Sequence, residues 1–199
     1  MNCLLCVTVL SLATACAVGQ PVQQTRPPRL PEQPDALVQS LYRQVVARHP
    51  VGVTKGADMT IFAPYLSKAL LHRIDQTAAC EADWFRQHPE TEEKPDFGWL
   101  ELGMFSGDEE MAEPSAFQIE RTQAEKDGSF HVYVKLTHEE SRKRPWTWRV
   151  AAIVRREDGS YIVDDLIYLK DKNEPSDVWL SKILADGCDG SRWVGYRNR

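Results

Sequence analysis

Ser129-Phe130-His131-Val132-Tyr133-Val134-Lys135-Leu136-Thr137-His138 is the stretch that decides the fold. Phe130, Val132, Val134 and Leu136 alternate with His131, Tyr133, Lys135 and Thr137. Successive side chains of a strand point to opposite faces, so a period of two buries one row and wets the other. Upstream, Lys126-Asp127-Gly128 is a turn signal, and residues 117–125 form another strand-like run, so the two segments pair as a hairpin. The arrangement recurs downstream, where 146–156 and 160–169 are joined through Glu157-Asp158-Gly159. Two hairpins in succession predict a four-stranded antiparallel meander.

Ahead of the strands the period changes. In 35–48, Leu37, Leu41 and Val45 recur at helical spacing with Val38, Tyr42 and Val46 beside them, and His49-Pro50 ends the helix. Residues 51–60 read as a glycine-containing loop. A second helical segment covers 62–88, with Pro64 tolerated in its first turn. Leu66, Leu70, Ile74, Thr77 and Trp84 share its apolar stripe, and its length calls for a break near Thr77. Near the end, Ser176 is placed to cap a short helix bearing Trp179, Leu180, Ile183 and Leu184, which Gly187 stops. Helices first and antiparallel strands afterwards define an α+β fold. The N-terminal helices pack on one face of a curved four-stranded antiparallel sheet, and a short helix lies at the C-terminal end.

The chain has 199 residues and a formal charge of −5, with scattered basic residues that leave no footprint for nucleic acid. The one basic run, Arg142-Lys143-Arg144, sits beside Glu139 and Glu140 and reads as a solvated loop. Residues 1–19 have the apolar centre and small-residue sites of a cleaved signal peptide, too short for a membrane span. Residues 20–34 form a Pro/Gln-rich linker, and 35–199 remain for a single α+β domain. This places the protein outside the cytoplasm: periplasmic, secreted, or held in the outer envelope as a lipoprotein. Cys3 and Cys6 leave with the signal. Cys16 follows Leu12-Ala13-Thr14-Ala15, a stretch that resembles a lipobox, so it is a candidate lipid anchor, with ordinary cleavage as the alternative. Cys80 and Cys188 then form an even pair, and an oxidising compartment predicts a disulfide between them.

The segment between the helices and the strands carries acids and glycines together with Phe97, Trp99, Leu100, Leu102, Met104 and Phe105. So apolar a segment should pack across an open face of the domain or bind something. Within 96–110, Asp96, Phe97, Trp99, Phe105 and Asp108 are the candidate contact residues, with Tyr133 added from the sheet. Trp84 and Trp148 read as core. No cofactor is implied: there is no phosphate-binding glycine loop and no G-x-S-x-G. No metal is implied either, because the histidines lack ligand spacing and His138-Glu139-Glu140 lacks the second histidine of a zinc-binding helix.

The helical N-terminal half, the acidic-aromatic loop and the paired strands ending in Asp158-Gly159-Ser160-Tyr161-Ile162-Val163-Asp164-Asp165-Leu166 resemble the nuclear transport factor 2-like cone. More narrowly, they resemble the bacterial domain-of-unknown-function family 3828, over about residues 35–185. The resemblance implies a secreted protein or lipoprotein with a pocket between the sheet and the helices. In such a pocket, whichever of the adjacent Asp164 and Asp165 faces inward could work with His131 as an acid-base pair. Three functions follow. The first is a non-catalytic module binding an envelope protein or a small apolar ligand. The second is an envelope inhibitor or immunity-type protein using the 96–110 loop. The third is a cone-type enzyme with the Asp/His pair.

Overall fold

A computed structural model describes residues 32–90, 103–107, 113–139, 145–169 and 177–196. The signal segment, Cys16 and most of the linker lie outside these residues, as do Asp96, Phe97, Trp99 and Asp108.

Helix α1, Pro34–Arg48, starts on a proline whose missing N–H costs nothing in the first turn. It buries Leu37, Val38, Leu41, Tyr42 and Val45, and ends where the left-handed His49 (φ 48°) donates its N–H to the Val45 carbonyl. The expected loop over 51–60 holds the start of α2, Gly56–Phe62, which runs into a 3-10 turn, Ala63–Tyr65. Helix α3, Lys68–Gln87, follows. The break expected near Thr77 therefore falls ten residues earlier. Leu66 is extended and bridges Val163 of the sheet, and Ser67 caps the new helix by accepting the Leu70 N–H at 3.0 Å. Thr77 stays helical, and its buried hydroxyl is shared as a donor between the Arg73 carbonyl at 2.9 Å and the Leu184 carbonyl at 2.8 Å.

The strands are β1 (Ala116–Ala124), β2 (Phe130–His138), β3 (Trp146–Glu157), β4 (Ser160–Tyr168) and β5 (Val178–Trp179). They form one antiparallel sheet in that order, so the expected four-stranded meander is extended to five strands. The β1–β2 turn uses Gly128 at φ 82°, and the β3–β4 turn places Asp158 at φ 50° and Gly159 at φ 84°, the left-handed pair that a tight hairpin requires.

Helix α4, Leu180–Ala185, begins after Trp179, later than expected, and Ser176 lies outside the described residues. Its start is satisfied from across the chain: Asp165 Oδ1 accepts the Ser181 N–H at 3.0 Å. A small hairpin of β6 (Cys188–Asp189) and β7 (Arg192–Trp193) closes the described chain.

Val132, Val134, Leu136, Val150, Ala152, Val154, Val163 and Leu166 line the inner face of the sheet and pack with α1 and α3 into the main core. A second, smaller cluster of Ala151, Ile153 and Ile167 lies on the other face, flanked by Tyr133, Leu169 and Trp179. Two bulges interrupt the ladder, one at Glu120 of β1 and one at Asp164 of β4.

Cys80 of α3 and Cys188 of β6 form the expected disulfide, with Cα atoms 6.1 Å apart. The same tail is held without covalent help. Asp83 Oδ2 accepts the Trp193 N–H at 2.8 Å, and Gln87 Nε2 donates to the Trp193 carbonyl at 3.3 Å. Among the described residues, no helix is long and apolar enough to cross a membrane.

Candidate functional site

Residues 103–107, the described part of the apolar segment, are seated between the helices and the inner face of the sheet. Gly103 bridges Gly52, and the Ser106 and Gly107 N–H groups both bond the Gly103 carbonyl, at 2.8 and 2.7 Å, which folds the segment into a turn. Met104 and Phe105 are buried, and the Phe105 ring lies 4.6 Å from the Phe62 ring, centroid to centroid.

Three consecutive carbonyls of the turn are captured by three aromatic donors from three different elements. The Tyr168 hydroxyl of β4 donates to Met104 O at 2.7 Å, the Tyr42 hydroxyl of α1 to Phe105 O at 2.8 Å, and Trp148 Nε1 of β3 to Ser106 O at 2.8 Å. Burial pushes both tyrosine hydroxyls well above the ordinary phenol range, so they stay neutral donors at working pH. Gly107 lies against the Tyr168 ring at φ 72°, and a Cβ there would come within 2.2 Å of a ring carbon.

Two exposed apolar side chains lie within two residues of Gly52 and Trp148, which contact this turn. Val51 and Trp146 are each 44% exposed, a large fraction for side chains of that kind. Trp146 pairs with His138 across the β2–β3 ladder. His138 Nδ1 donates to the Glu113 carbonyl at 2.7 Å, and His49 Nδ1 stands 3.6 Å from Glu113 Oε2. Glu113 is thus met by His138 at its backbone and by His49 at its carboxylate. Sequence reasoning missed these three residues and Trp146. His49 and His138 are 89 positions apart, and Trp146 differs from the core residue Trp148 only by lying nearer the strand's end.

The residues expected to form an acid-base pair are not brought together in an inner pocket. Asp165 pairs across the ladder with Ile153 on the face away from α1, and its Oδ1 accepts the Leu166 and Ser181 N–H groups at 2.8 and 3.0 Å. Asp164 is the bulged residue, and its carboxylate meets Arg155 at 3.1 Å. His131 also pairs with Ile153 on that face, two strands from Asp165, and its Nδ1 lies 3.8 Å from Glu125. The expectation that one aspartate faces inward fails because the bulge breaks the alternation there.

Tyr133 lies on the outer face, half-buried under the Arg121 guanidinium at 3.7 Å from its ring centre. Phe105, expected at an exposed contact, is fully buried and belongs to the core. Among the described residues, no group of three or more histidine, cysteine or acidic side chains is placed to hold a metal.

No family model matches the chain, and no curated protein or solved structure is significantly similar to it.

Proposed function

We propose that the chain is an exported cell-envelope protein that acts as a non-catalytic binding module, with its contact face at the end of the sheet where residues 96–110 join the fold. One observation carries this reading: the capture of three consecutive carbonyls of 104–106 by Tyr168, Tyr42 and Trp148. Capture of this kind gives residues 104–106 a fixed footing. A contact surface held in its bound geometry loses less entropy on association. The exposed Trp146 and Val51 extend the same face with apolar surface of the kind that anchors interfaces.

The same footing suits the inhibitor reading, in which the 96–110 loop enters a partner's active site. The enzyme reading draws less support, because Asp164, Asp165 and His131 each hold a structural partner on the opposite side of the sheet. The Cys80–Cys188 bridge supports export, since such bonds persist in oxidising compartments. The order of helices followed by an antiparallel sheet supports a nuclear transport factor 2-like cone of the kind found in domain-of-unknown-function family 3828, and Cys16 is the proposed lipid anchor.

The test is capture of a partner from an envelope extract by the immobilised chain. Trp99→Ala and Trp146→Ala should each reduce recovery of one stoichiometric partner by about tenfold or more, the equivalent of losing an interface anchor. Undiminished recovery by both variants would refute the contact face.

A further inference from the structure

The three donors that hold residues 104–106 are a set built by the scaffold. They come from α1 and from the β3–β4 hairpin, which lies much further along the chain, and the fold brings them to one point. Their spacing matches successive peptide carbonyls, and beside them lies a slot against Phe62 that takes an aromatic ring. The wall formed by Tyr168 admits only glycine two residues after that ring. The turn that fills the slot also carries its own internal bonds, from the Ser106 and Gly107 N–H groups to the Gly103 carbonyl, so a short peptide can adopt the same shape.

We propose that residues 103–107 are an intramolecular pseudo-ligand, occupying a site that binds a partner's apolar peptide of the same chemistry: an aromatic side chain in a tight turn, with glycine two residues later. This rests on the binding-module reading and names its partner as a polypeptide segment, which exchanges with the chain's own. The donors Tyr42, Tyr168 and Trp148 pass from one set of carbonyls to the other, so no buried hydroxyl or indole N–H is orphaned by the exchange. Because the internal segment is tethered, it competes at an effective concentration in the millimolar range, so the intact chain responds only to peptide at comparable concentration.

The probe is the acetylated, amidated hexapeptide Leu-Gly-Met-Phe-Ser-Gly, which copies 102–107. It is added in millimolar excess to the full, disulfide-intact chain. Amide hydrogen exchange at Ser106 and Gly107 should rise by about tenfold or more, while the amides of α1 and β2–β4 keep their protection. Peptides with alanine in place of the phenylalanine or the final glycine should leave the exchange unchanged. Phe105→Ala, which empties the slot, should bind the probe about tenfold more tightly than the wild-type chain does.

Unchanged exchange in the wild-type chain at saturating solubility would overturn the proposal, as would an equal response to the alanine peptides. The wild-type reading does not depend on any variant folding. If the peptide fails while Trp99→Ala and Trp146→Ala still abolish partner capture, the contact face stands and the pseudo-ligand does not.

Discussion

Replacing Phe105 by alanine separates a core residue from a contact residue most sharply. The side chain is 0% exposed, and its ring stacks obliquely on Phe62 at 4.6 Å. The substitution removes the whole ring from a packed site and leaves the Phe105 carbonyl free to keep its bond from Tyr42. A Phe-to-Ala change in such a setting costs about 3–5 kcal/mol, part lost transfer energy and part cavity. For a folded region of this size, each kcal/mol moves the melting temperature by about 2–4 °C, so Phe105→Ala should lower it by about 6–20 °C. Differential scanning calorimetry of the oxidised protein measures this directly. A fall of less than about 3 °C would show that the ring contributes little to the core. The reasoning that seats 103–107 inside the fold would then be wrong.

Removing the bridge with Cys80→Ala and Cys188→Ala together should also destabilise the protein. The cysteines are 108 positions apart, and the chain-entropy model assigns a loop of that length about 4.7 kcal/mol, less any native strain. Denaturant titration of the double variant should show most of that loss, and a change below about 1 kcal/mol would contradict it.

The tail's other fastening is visible in its pH dependence. The Trp193 N–H holds the Asp83 carboxyl below the usual carboxylate range, and Gln87, Arg86 and Arg192 add to this. A carboxyl depressed in the folded state stabilises it above the unfolded value, and that contribution is lost as pH falls through the folded one. The Trp193 amide proton shift should therefore titrate below the ordinary aspartate range and lose that step in Asp83→Asn. A midpoint at or above the ordinary range would disprove the contact.

The strand pattern was legible because period-two burial and Asp-Gly turns are local facts. The row of Val132, Val134 and Leu136 goes inward as the alternation requires, and Asp158-Gly159 makes the turn its residues favour. Most of the failures are places where a distant group overrides local spacing. The bulge at Asp164 turns a residue that strict alternation sends inward toward Arg155. Helix α3 starts at Lys68 because Leu66 is pulled into a bridge with Val163, which no helical stripe records. Helix α4 starts late because its first-turn acceptor is Asp165, fifteen residues before Leu180, in place of a neighbouring serine. Strand β5 is only two residues long, too short to show a period at all. At the candidate site, the apolar character of 97–105 announced that the segment must pack or bind. The donors that hold it sit at 42, 148 and 168, and their convergence is a property of the folded chain alone.

The distribution of polar partners also bears on what this fold can do. Proton transfer needs a group whose charge can change without undoing the structure around it. Asp165 is already committed to two backbone N–H groups, one of them at the start of α4. Asp164 is matched to Arg155, which also reaches Asp127 at 3.1 Å, so the arginine is shared between two carboxylates that define its position. The hydroxyls of Tyr42 and Tyr168 are pushed further from ionisation by burial, which makes them weaker acids and durable hydrogen-bond donors. Durable donors converging on carbonyls are what recognition of a peptide backbone requires. In this chain they converge on residues 104–106, and Trp148 among them lies two residues from the exposed Trp146.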